Sequence, residues 1–292
     1  MAIRPRIDTI KYNVANKKIK ELNVKSEKWF SVDEKKRWSK IEYDTLGRIT
    51  AVFNHLVYGE QYLYSIKNDT LTKIEYESRN KELIKLNKIE KFIYNKSQKV
   101  KTYISTYKTK NRNFNRTKFN EISLAIIEVD QLYYDSLQRI VKIKHFSKSF
   151  ADQMLQLDSI LPIENLQLIS TDTFIYSTRQ TTATRVPVDS SLTESIFNQT
   201  LYDDKYRVTN DITICKFNNS PNDTLEKKYA YKRNKMTCLI KTYDIILTDL
   251  TRLNTDEIRT EYYNDSGLIL KITNLRVRLN LTDSLLFKYE FY

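Results

Sequence analysis

Strand-forming apolar residues along this chain are punctuated by one recurring polar phrase: a Tyr, then Asp or Asn, three freer residues, a basic residue and an aliphatic one. It runs from Tyr43-Asp44 to Arg48-Ile49 and returns at Tyr94-Asn95 to Lys99-Val100, Tyr134-Asp135 to Arg139-Ile140 and Tyr202-Asp203 to Arg207-Val208. Tyr263-Asn264 through Gly267-Leu268-Ile269 lacks only the base, and Tyr12-Asn13 to Lys17-Lys18-Ile19 is one residue longer. Each position has a mechanical role in a hairpin. Tyr packs along a pleated strand, Asp or Asn bonds the backbone two residues on, and Gly47 or Gly267 supplies a positive φ. The aliphatic residue starts the returning strand. Tyr43, Tyr94, Tyr134 and Tyr202 are expected to stack in register on one sheet face as mainly buried rings.

A second phrase, Asp followed by Thr or Ser and an aliphatic residue, occurs at Asp8-Thr9, Asp69-Thr70, Asp223-Thr224 and Asp283-Ser284. It reads as the opposite hairpin end, feeding a strand that runs toward the next Tyr. Alternation of the two phrases predicts an all-β fold: an extended antiparallel meander, or repeat sheet, in one domain over 1–292. A minor helical insertion is expected over 147–167, where Phe150, Met154 and Leu157 recur at helical spacing after Ser149 until Pro162. Between Ser78 and Lys91 the apolar pattern fits helix and strand equally.

Composition changes this picture little. The 292 residues are 40% apolar and contain 21 Tyr against 3 Gly, so Asn and Asp must take most turn positions. No run of eighteen apolar residues exists, so no segment spans a membrane as a helix. The start, Met1 to Arg6, lacks the apolar core of a signal peptide, which taken literally implies a cytoplasmic protein and is compatible with the periplasm or cell surface only where a leader has been removed. The net charge of +13 is spread without a block and reads as a solvated basic surface.

Chemistry-bearing residues are sparse. His55 and His145 are the only histidines and stand in strand-like surroundings, which excludes a three-His metal site. Cys215 and Cys238 read as two buried free thiols, although a cross-strand bridge is open to them. No phosphate loop, nucleophile elbow or acidic metal loop is present, and Asp203-Asp204 sits where a turn wants Asp. The sequence therefore points away from an enzyme and implies no cofactor and no metal. One cluster of bases and rings, with Lys108, Lys110, Arg112, Arg116 and Lys118 around Phe114 and Phe119, fits an anion or single-stranded nucleic-acid contact. A basic strand pair with its rings toward a core explains it as well.

The turn phrase, most fully at Tyr43-Asp44-Thr45-Leu46-Gly47-Arg48-Ile49-Thr50, resembles the YD repeat of RHS-type proteins. That resemblance implies an extracytoplasmic scaffold of hairpins in a continuous spiralling sheet. Relative to the large shell-forming members, the chain has few Gly, no shell-closing motif and too few repeats to enclose a cargo domain. The second phrase resembles the acceptor pattern of a bacterial general O-glycosylation system. Thr9, Thr45, Thr70, Ser136, Ser159, Thr224 and Ser284 fit it, and corner mechanics favour the same residues.

These readings lead to a non-enzymatic β-repeat protein of the cell envelope or surface that holds another envelope protein. A sugar-binding module using Trp29 and Trp38, or a basic single-strand binder, are the alternatives; a nucleic-acid partner is not expected.

Overall fold

The computed structural model describes residues 15–32, 38–54, 58–115, 118–151, 163–188, 195–217, 220–232, 234–245, 252–276 and 281–292. Among the described residues one short α-helix, α1 (Lys17–Glu21), precedes eighteen strands. They are β1 (Val24–Ser31), β2 (Trp38–Tyr43), β3 (Ile49–Asn54), β4 (Tyr58–Lys67), β5 (Thr70–Arg79) and β6 (Glu82–Tyr94). Next come β7 (Val100–Asn115), β8 (Lys118–Tyr134), β9 (Ile140–Ala151), β10 (Gln167–Tyr176), β11 (Gln180–Pro187) and β12 (Ser195–Tyr202). The last are β13 (Val208–Phe217), β14 (Ser220–Lys232), β15 (Lys235–Ile245), β16 (Arg252–Tyr263), β17 (Ile269–Arg276) and β18 (Leu281–Phe291). The fold is all-β and antiparallel.

The chain divides into two units, Met1–Leu56 with Asp172–Tyr292, and Val57–Thr171. In the first, β11 to β18 pair consecutively, and β1 then lies between β18 and β2, which pairs with β3. In the second, β4 to β9 form a consecutive meander.

All five full or near-full copies of the turn phrase are built alike. Each opens with a register shift at its Tyr, between Glu42/Tyr43, Ile93/Tyr94, Tyr133/Tyr134, Leu201/Tyr202 and Tyr262/Tyr263. The Asp or Asn side chain then collects the backbone: Oδ1 of Asp44 accepts from the N–H groups of Leu46 (2.9 Å) and Arg48 (3.0 Å). Asn95 does the same for Ser97 and Lys99, and Asp203 for Lys205 and Arg207. The fourth position after the aromatic residue is left-handed in every copy, at Gly47 (φ 75°), Gln98 (57°), Gln138 (60°), Tyr206 (57°) and Gly267 (74°).

In the three Asp copies the second carboxylate oxygen takes an Arg: Asp44 with Arg48 (2.6 Å), Asp135 with Arg139 (2.8 Å) and Asp203 with Arg207 (2.8 Å). Asn presents an NH₂ group at that place and cannot accept, and its copies carry Lys99 and Leu268 instead of Arg. The shift at the Tyr also displaces a carbonyl just past the turn, and a Tyr from the next strand donates to it. Tyr134 caps the Val100 carbonyl (2.7 Å), Tyr231 that of Val208 (2.9 Å) and Tyr289 that of Ile269 (2.8 Å).

Several expectations need correction. The turn tyrosines do not stack: Tyr43, Tyr94, Tyr134 and Tyr202 stand on β2, β6, β8 and β12, which are not neighbours, and only Tyr43 is buried. Of the expected helical insertion over 147–167, Ser147 to Ala151 continue β9, with Ser149 opposite Ile126, and Ile163–Asn165 form a 3-10 turn, while 152–162 lie outside the described residues. Met154, Leu157 and Pro162 lie outside the described residues. The ambiguous stretch after Ser78 is the β5–β6 hairpin, turned at Asn80 and Lys81 with φ of 52° and 68°. Asp69 lies beside a Tyr turn, where its carbonyl accepts from the Tyr94 N–H (2.8 Å), so that phrase does not mark an opposite end. Asp223 and Asp283 lie inside β14 and β18.

The sixth copy of the phrase is a helix start. Asn16 caps α1 by accepting from the N–H groups of Lys18 and Ile19 (3.1 and 3.3 Å). α1 is pinned against two turns of the first unit: the Asn16 N–H donates to the Gly47 carbonyl (2.9 Å), and Lys18 Nζ donates to the Gly267 carbonyl. Ile19 packs with Val24, Tyr43 and Leu268 in a small apolar core. A Cβ on Gly47 would meet the Asn16 carbonyl oxygen at 2.5 Å, so this turn needs Gly for its φ and for its contact.

Tyr206 holds the same left-handed place as Gly47 but carries a side chain that is 76% exposed. Removing that strain in Tyr206→Gly is expected to stabilise the first unit by up to about 1 kcal/mol. Gly47→Ala is expected to destabilise it by at least about 1 kcal/mol. Denaturant midpoints of the two variants, compared with the parent, check both signs.

Candidate binding cleft and the charged face around it

Antiparallel register places a polar row across the second unit. Tyr62 faces Glu75, Glu75 faces Lys88, and Lys88 faces Tyr107 on β4 to β7. One level along, Lys73, Glu90, Ser105, Glu128 and Ser147 follow each other on β5 to β9, and the next level brings Tyr103, Asp130 and His145 together. Alternation along each strand sends these side chains to one face.

Glu90 is the hub, 6% exposed. Its two oxygens take Lys73 Nζ and Lys88 Nζ, each at 2.8 Å, and the Tyr103 hydroxyl donates to it as well. Burial alone would raise the Glu90 carboxyl, but Lys88 and Lys73 outweigh it and hold the group down at about 2. Burial and the neighbouring Glu90 charge push the Tyr103 phenol up, so it stays a donor. On β8 and β9, Asp130 Oδ1 and His145 Nδ1 lie 2.6 Å apart, both buried. Such a pair orients an imidazole; the described contacts bring no nucleophile to it.

Beside the hub the sheet opens into a cleft of about 400 Å³ lined by Glu75, Asn87, Lys88, Tyr107, Lys108 and Glu128. Asn87 is the extra residue where the β5–β6 register shifts, since Glu75 faces Lys88 while Tyr76 faces Leu86. The Tyr107 hydroxyl donates to Glu128 Oε1 (3.0 Å). Burial and the charge of Glu128 raise the Tyr107 phenol to about 12. The Glu75 carboxyl is raised by burial first and by Glu60 next, against the pull of Lys73 and Lys88. Every lining residue is polar or charged, and their carbon atoms supply at least half of the surface.

The opposite face of this unit carries its apolar core, Ile104, Ala125, Ile127 and Val129 with Leu166, Phe146 and Phe150 against it. Lysines interrupt that face: Lys91 pairs with Ile104, Lys148 with Ile127 and Lys144 with Gln131. Lys148 and Lys144 lie 5.3 and 5.9 Å from the Phe150 and Tyr133 ring centroids.

The first unit repeats the arrangement with fixed polar groups on its buried face. Asp172, 1% exposed, takes Arg185 Nε on one oxygen and Nη2 on the other, each at 2.7 Å. Asn198 donates to Asp211 (3.2 Å) and Thr213 (2.9 Å), and Thr200 donates to Asp211 (2.9 Å). Near that apparatus Ile175 and Val186 are 70% and 55% exposed. Across β2, β1 and β18 the other face presents Lys40, Lys28 and Lys288 directly opposite one another. Lys28 lies over the Trp38 ring (4.3 Å), Lys288 lies over Phe30 (5.6 Å), and Lys40 reaches Glu42 (3.3 Å) and Glu290 (3.5 Å).

The sequence-derived candidates are scattered. Thr45 and Ser136 are exposed on turns, Thr70 begins β5, and Thr224 and Ser284 sit inside β14 and β18, half-buried. Thr9 and Ser159 lie outside the described residues. Lys110 and Arg112 belong to the β7 backbone and Lys118 starts β8, where Phe114 faces Phe119 at the hairpin tip. The side chains of Lys110, Arg112 and Lys118, and all of Arg116, lie outside what is described; Lys108 alone joins the cleft. Trp29 faces Ser39 while Trp38 faces Phe30, so register puts the two indoles on opposite faces and no shared sugar platform forms. Cys215 and Cys238 are buried and form no disulfide, on β13 and β15 with β14 between them. His145 is buried against Asp130, whereas His55 lies outside the described residues. Among the described residues no group of three or more His, Cys, Asp and Glu is placed to hold a metal ion. The Glu90 hub left no sign in sequence, because its members come from three strands, β5 to β7, whose shared register is a property of the folded sheet.

Glu90 has a carboxyl below its ordinary 4.5, so its stabilisation is fully present above about pH 4.5 and is lost as pH falls toward 2. Glu90→Gln, which leaves two lysines without their carboxylate, is expected to cost on the order of 3 kcal/mol at pH 7. It should also flatten the acid limb of stability between pH 4.5 and 2. Urea unfolding at a series of pH values measures both effects.

No family model matches the chain, and no curated protein matches it. Among solved structures it is similar to a porin-like protein from Bacteroides uniformis ATCC 8492, with a TM-score of 0.43 and 8% identity over 92% of this chain and 97% of that one. It is also similar to a porin-like protein from Bacteroides vulgatus ATCC 8482, with a TM-score of 0.38 and 12% identity over 91% of this chain and 98% of that one.

Proposed function

We propose that the strands close into a β-barrel with water on both sides, a non-enzymatic binding module of the bacterial envelope. The observation that carries this reading is charge on both faces of the sheet. A membrane-spanning barrel needs an unbroken apolar band on its outer face, where a lysine at mid-depth costs about 2–4 kcal/mol. Here one face of the second unit holds Glu90, Lys73 and Lys88 while the other holds Lys91, Lys144 and Lys148. In the first unit Asp172 and Arg185 occupy the buried face, and the Lys40, Lys28, Lys288 row occupies an opposite one.

Closure is supported by β1, which pairs with the last strand and with β2, so the two ends of the strand sequence meet. A closed sheet has no free edges, and a partner then docks on a face or on the connecting loops instead of adding a strand. Placement in the envelope rests on the YD-type turns and on the Asp-Thr/Ser-aliphatic triplets, of which Thr45 and Ser136 are exposed.

Purified without detergent, the chain is expected to stay monodisperse in size-exclusion chromatography. It should not float with phosphatidylcholine vesicles on a density gradient. Expressed from its native gene, it should fractionate with the envelope. Stable insertion into vesicles, or recovery only from the cytosol, overturns the proposal.

A further inference from the structure

Resting on the binding-module reading for its setting, we infer that the lysine-bearing face of the first unit is a track for an acidic polysaccharide. Register extends the Lys40, Lys28, Lys288 row well past three strands. One level along, Trp38, Phe30 and Leu286 face one another, and the line continues through Lys271 on β17 and Tyr262 on β16 to Lys235 on β15. Lys232 on β14 stands opposite Lys235. Seven neighbouring strands thus carry six lysines on one face, in a band two side chains wide. At the usual strand spacing of about 4.8 Å the band is about 29 Å long.

The charge of this band is unbalanced. Lys28 faces both Lys40 and Lys288, and Lys232 faces Lys235, three like-charge oppositions that each weaken the sheet. Of the six lysines only Lys40 has a carboxylate partner among the described residues, in Glu42 and Glu290. Breaches of a pairing rule that no neighbouring charge offsets are expected where a surface serves binding. An anion lying along the band relieves all three oppositions at once.

Three observations choose the anion. Lys28 lies over Trp38, Lys288 over Phe30 and Lys235 over Tyr262, at 4.3, 5.6 and 5.5 Å from the ring centroids. Ammonium groups therefore occupy ring faces on which a nucleobase would stack. On one side of the band Glu42 and Glu290, both opposite Ser26, repel a broad anionic plane such as a lipid surface and leave space for a chain along the row. On the other side Ser284, Thr273, Thr260 and Thr237 face one another in turn from β18 to β15, a ladder of half-buried hydroxyls parallel to the lysines. A carboxylated polysaccharide meets both rows: its acid groups take the ammonium ions, and its hydroxyls exchange hydrogen bonds with Ser and Thr.

The test titrates the full chain with hexagalacturonate by isothermal titration calorimetry, with maltohexaose, oligothymidylate and phosphatidylglycerol vesicles as comparisons. Hexagalacturonate should bind saturably at low ionic strength and weaken with added salt, and maltohexaose should not bind. Lys271→Ala with Lys235→Ala should weaken binding at least about tenfold, with circular dichroism and melting unchanged. Lys85→Ala with Lys96→Ala removes the same charge from exposed positions of the second unit and should leave binding within about twofold. Thr260→Val with Thr273→Val, which keeps every lysine, should weaken hexagalacturonate about fivefold or more and leave oligothymidylate unchanged. The inference is overturned by no saturable binding, by equal losses in the two lysine pairs, or by indifference to the threonine pair. Tighter binding of oligothymidylate or of phosphatidylglycerol vesicles overturns it too. Insertion into phosphatidylcholine vesicles sinks the binding-module reading alone, and failure to bind hexagalacturonate sinks the track alone.

Discussion

The structure depends on a five-residue clasp in which one side-chain oxygen collects backbone N–H groups. Oδ1 of Asp44 or Asp203 takes two N–H groups that the reversing chain would otherwise leave to water, and the left-handed residue at the fourth position lets the chain turn back within that reach. The register shift at each Tyr is the geometric consequence, because five residues cannot be closed without one extra residue on a strand. The shift in turn exposes a carbonyl, and Tyr134, Tyr231 and Tyr289 reach across from the following strand to satisfy it. Abundant tyrosine and scarce glycine are thus two sides of one design: tyrosine caps what the bulge frees, and Asx side chains do the turning that glycine does elsewhere.

The clasp also settles which residues travel together. An Arg follows Asp because the carboxylate has a second oxygen to offer; after Asn it would find a donor. For Asp135 and Asp203 the backbone N–H of the Arg lowers the carboxyl first, so these turns tighten when their acid is ionised. Around this frame the buried polar groups are paired by register, Glu90 with two lysines and Asp172 with Arg185. The Lys73–Glu90 and Asp172–Arg185 pairs each join two neighbouring strands, which makes them locks on strand order as much as sources of stability.

Legibility in the sequence followed distance along the chain. The turns at Asp44, Asn95, Asp135, Asp203 and Asn264 could be read because the hydrogen bonds that the Asp or Asn side chain makes to close them span four residues or fewer. The same rule explains the misreadings. Lys17 to Ile19 matched the phrase closely enough to suggest a strand, but the spacing was one residue long, and Asn16 capped a helix instead. Phe150 kept helical spacing with residues further on, yet Ala125 lies opposite it across β8 and β9, and a ladder partner outweighs a weak period. Trp29 and Trp38 looked like one platform until the register set them on opposite faces.

By itself the sequence determined an antiparallel all-β chain, the position of its Tyr-opened turns and the exchange of Arg for Lys or Leu when Asp gives way to Asn. All of these are settled by torsional preference and by hydrogen bonds between near neighbours. Tertiary structure alone decided that β1 enters between β18 and β2, that Glu90 meets Lys73, Lys88 and Tyr103, and that Asn87 bulges beside Glu75 to open a cleft. The reason is physical: a one-residue change of register moves every side chain of a strand to the other face, and register is set by pairing between distant segments, which no local pattern encodes.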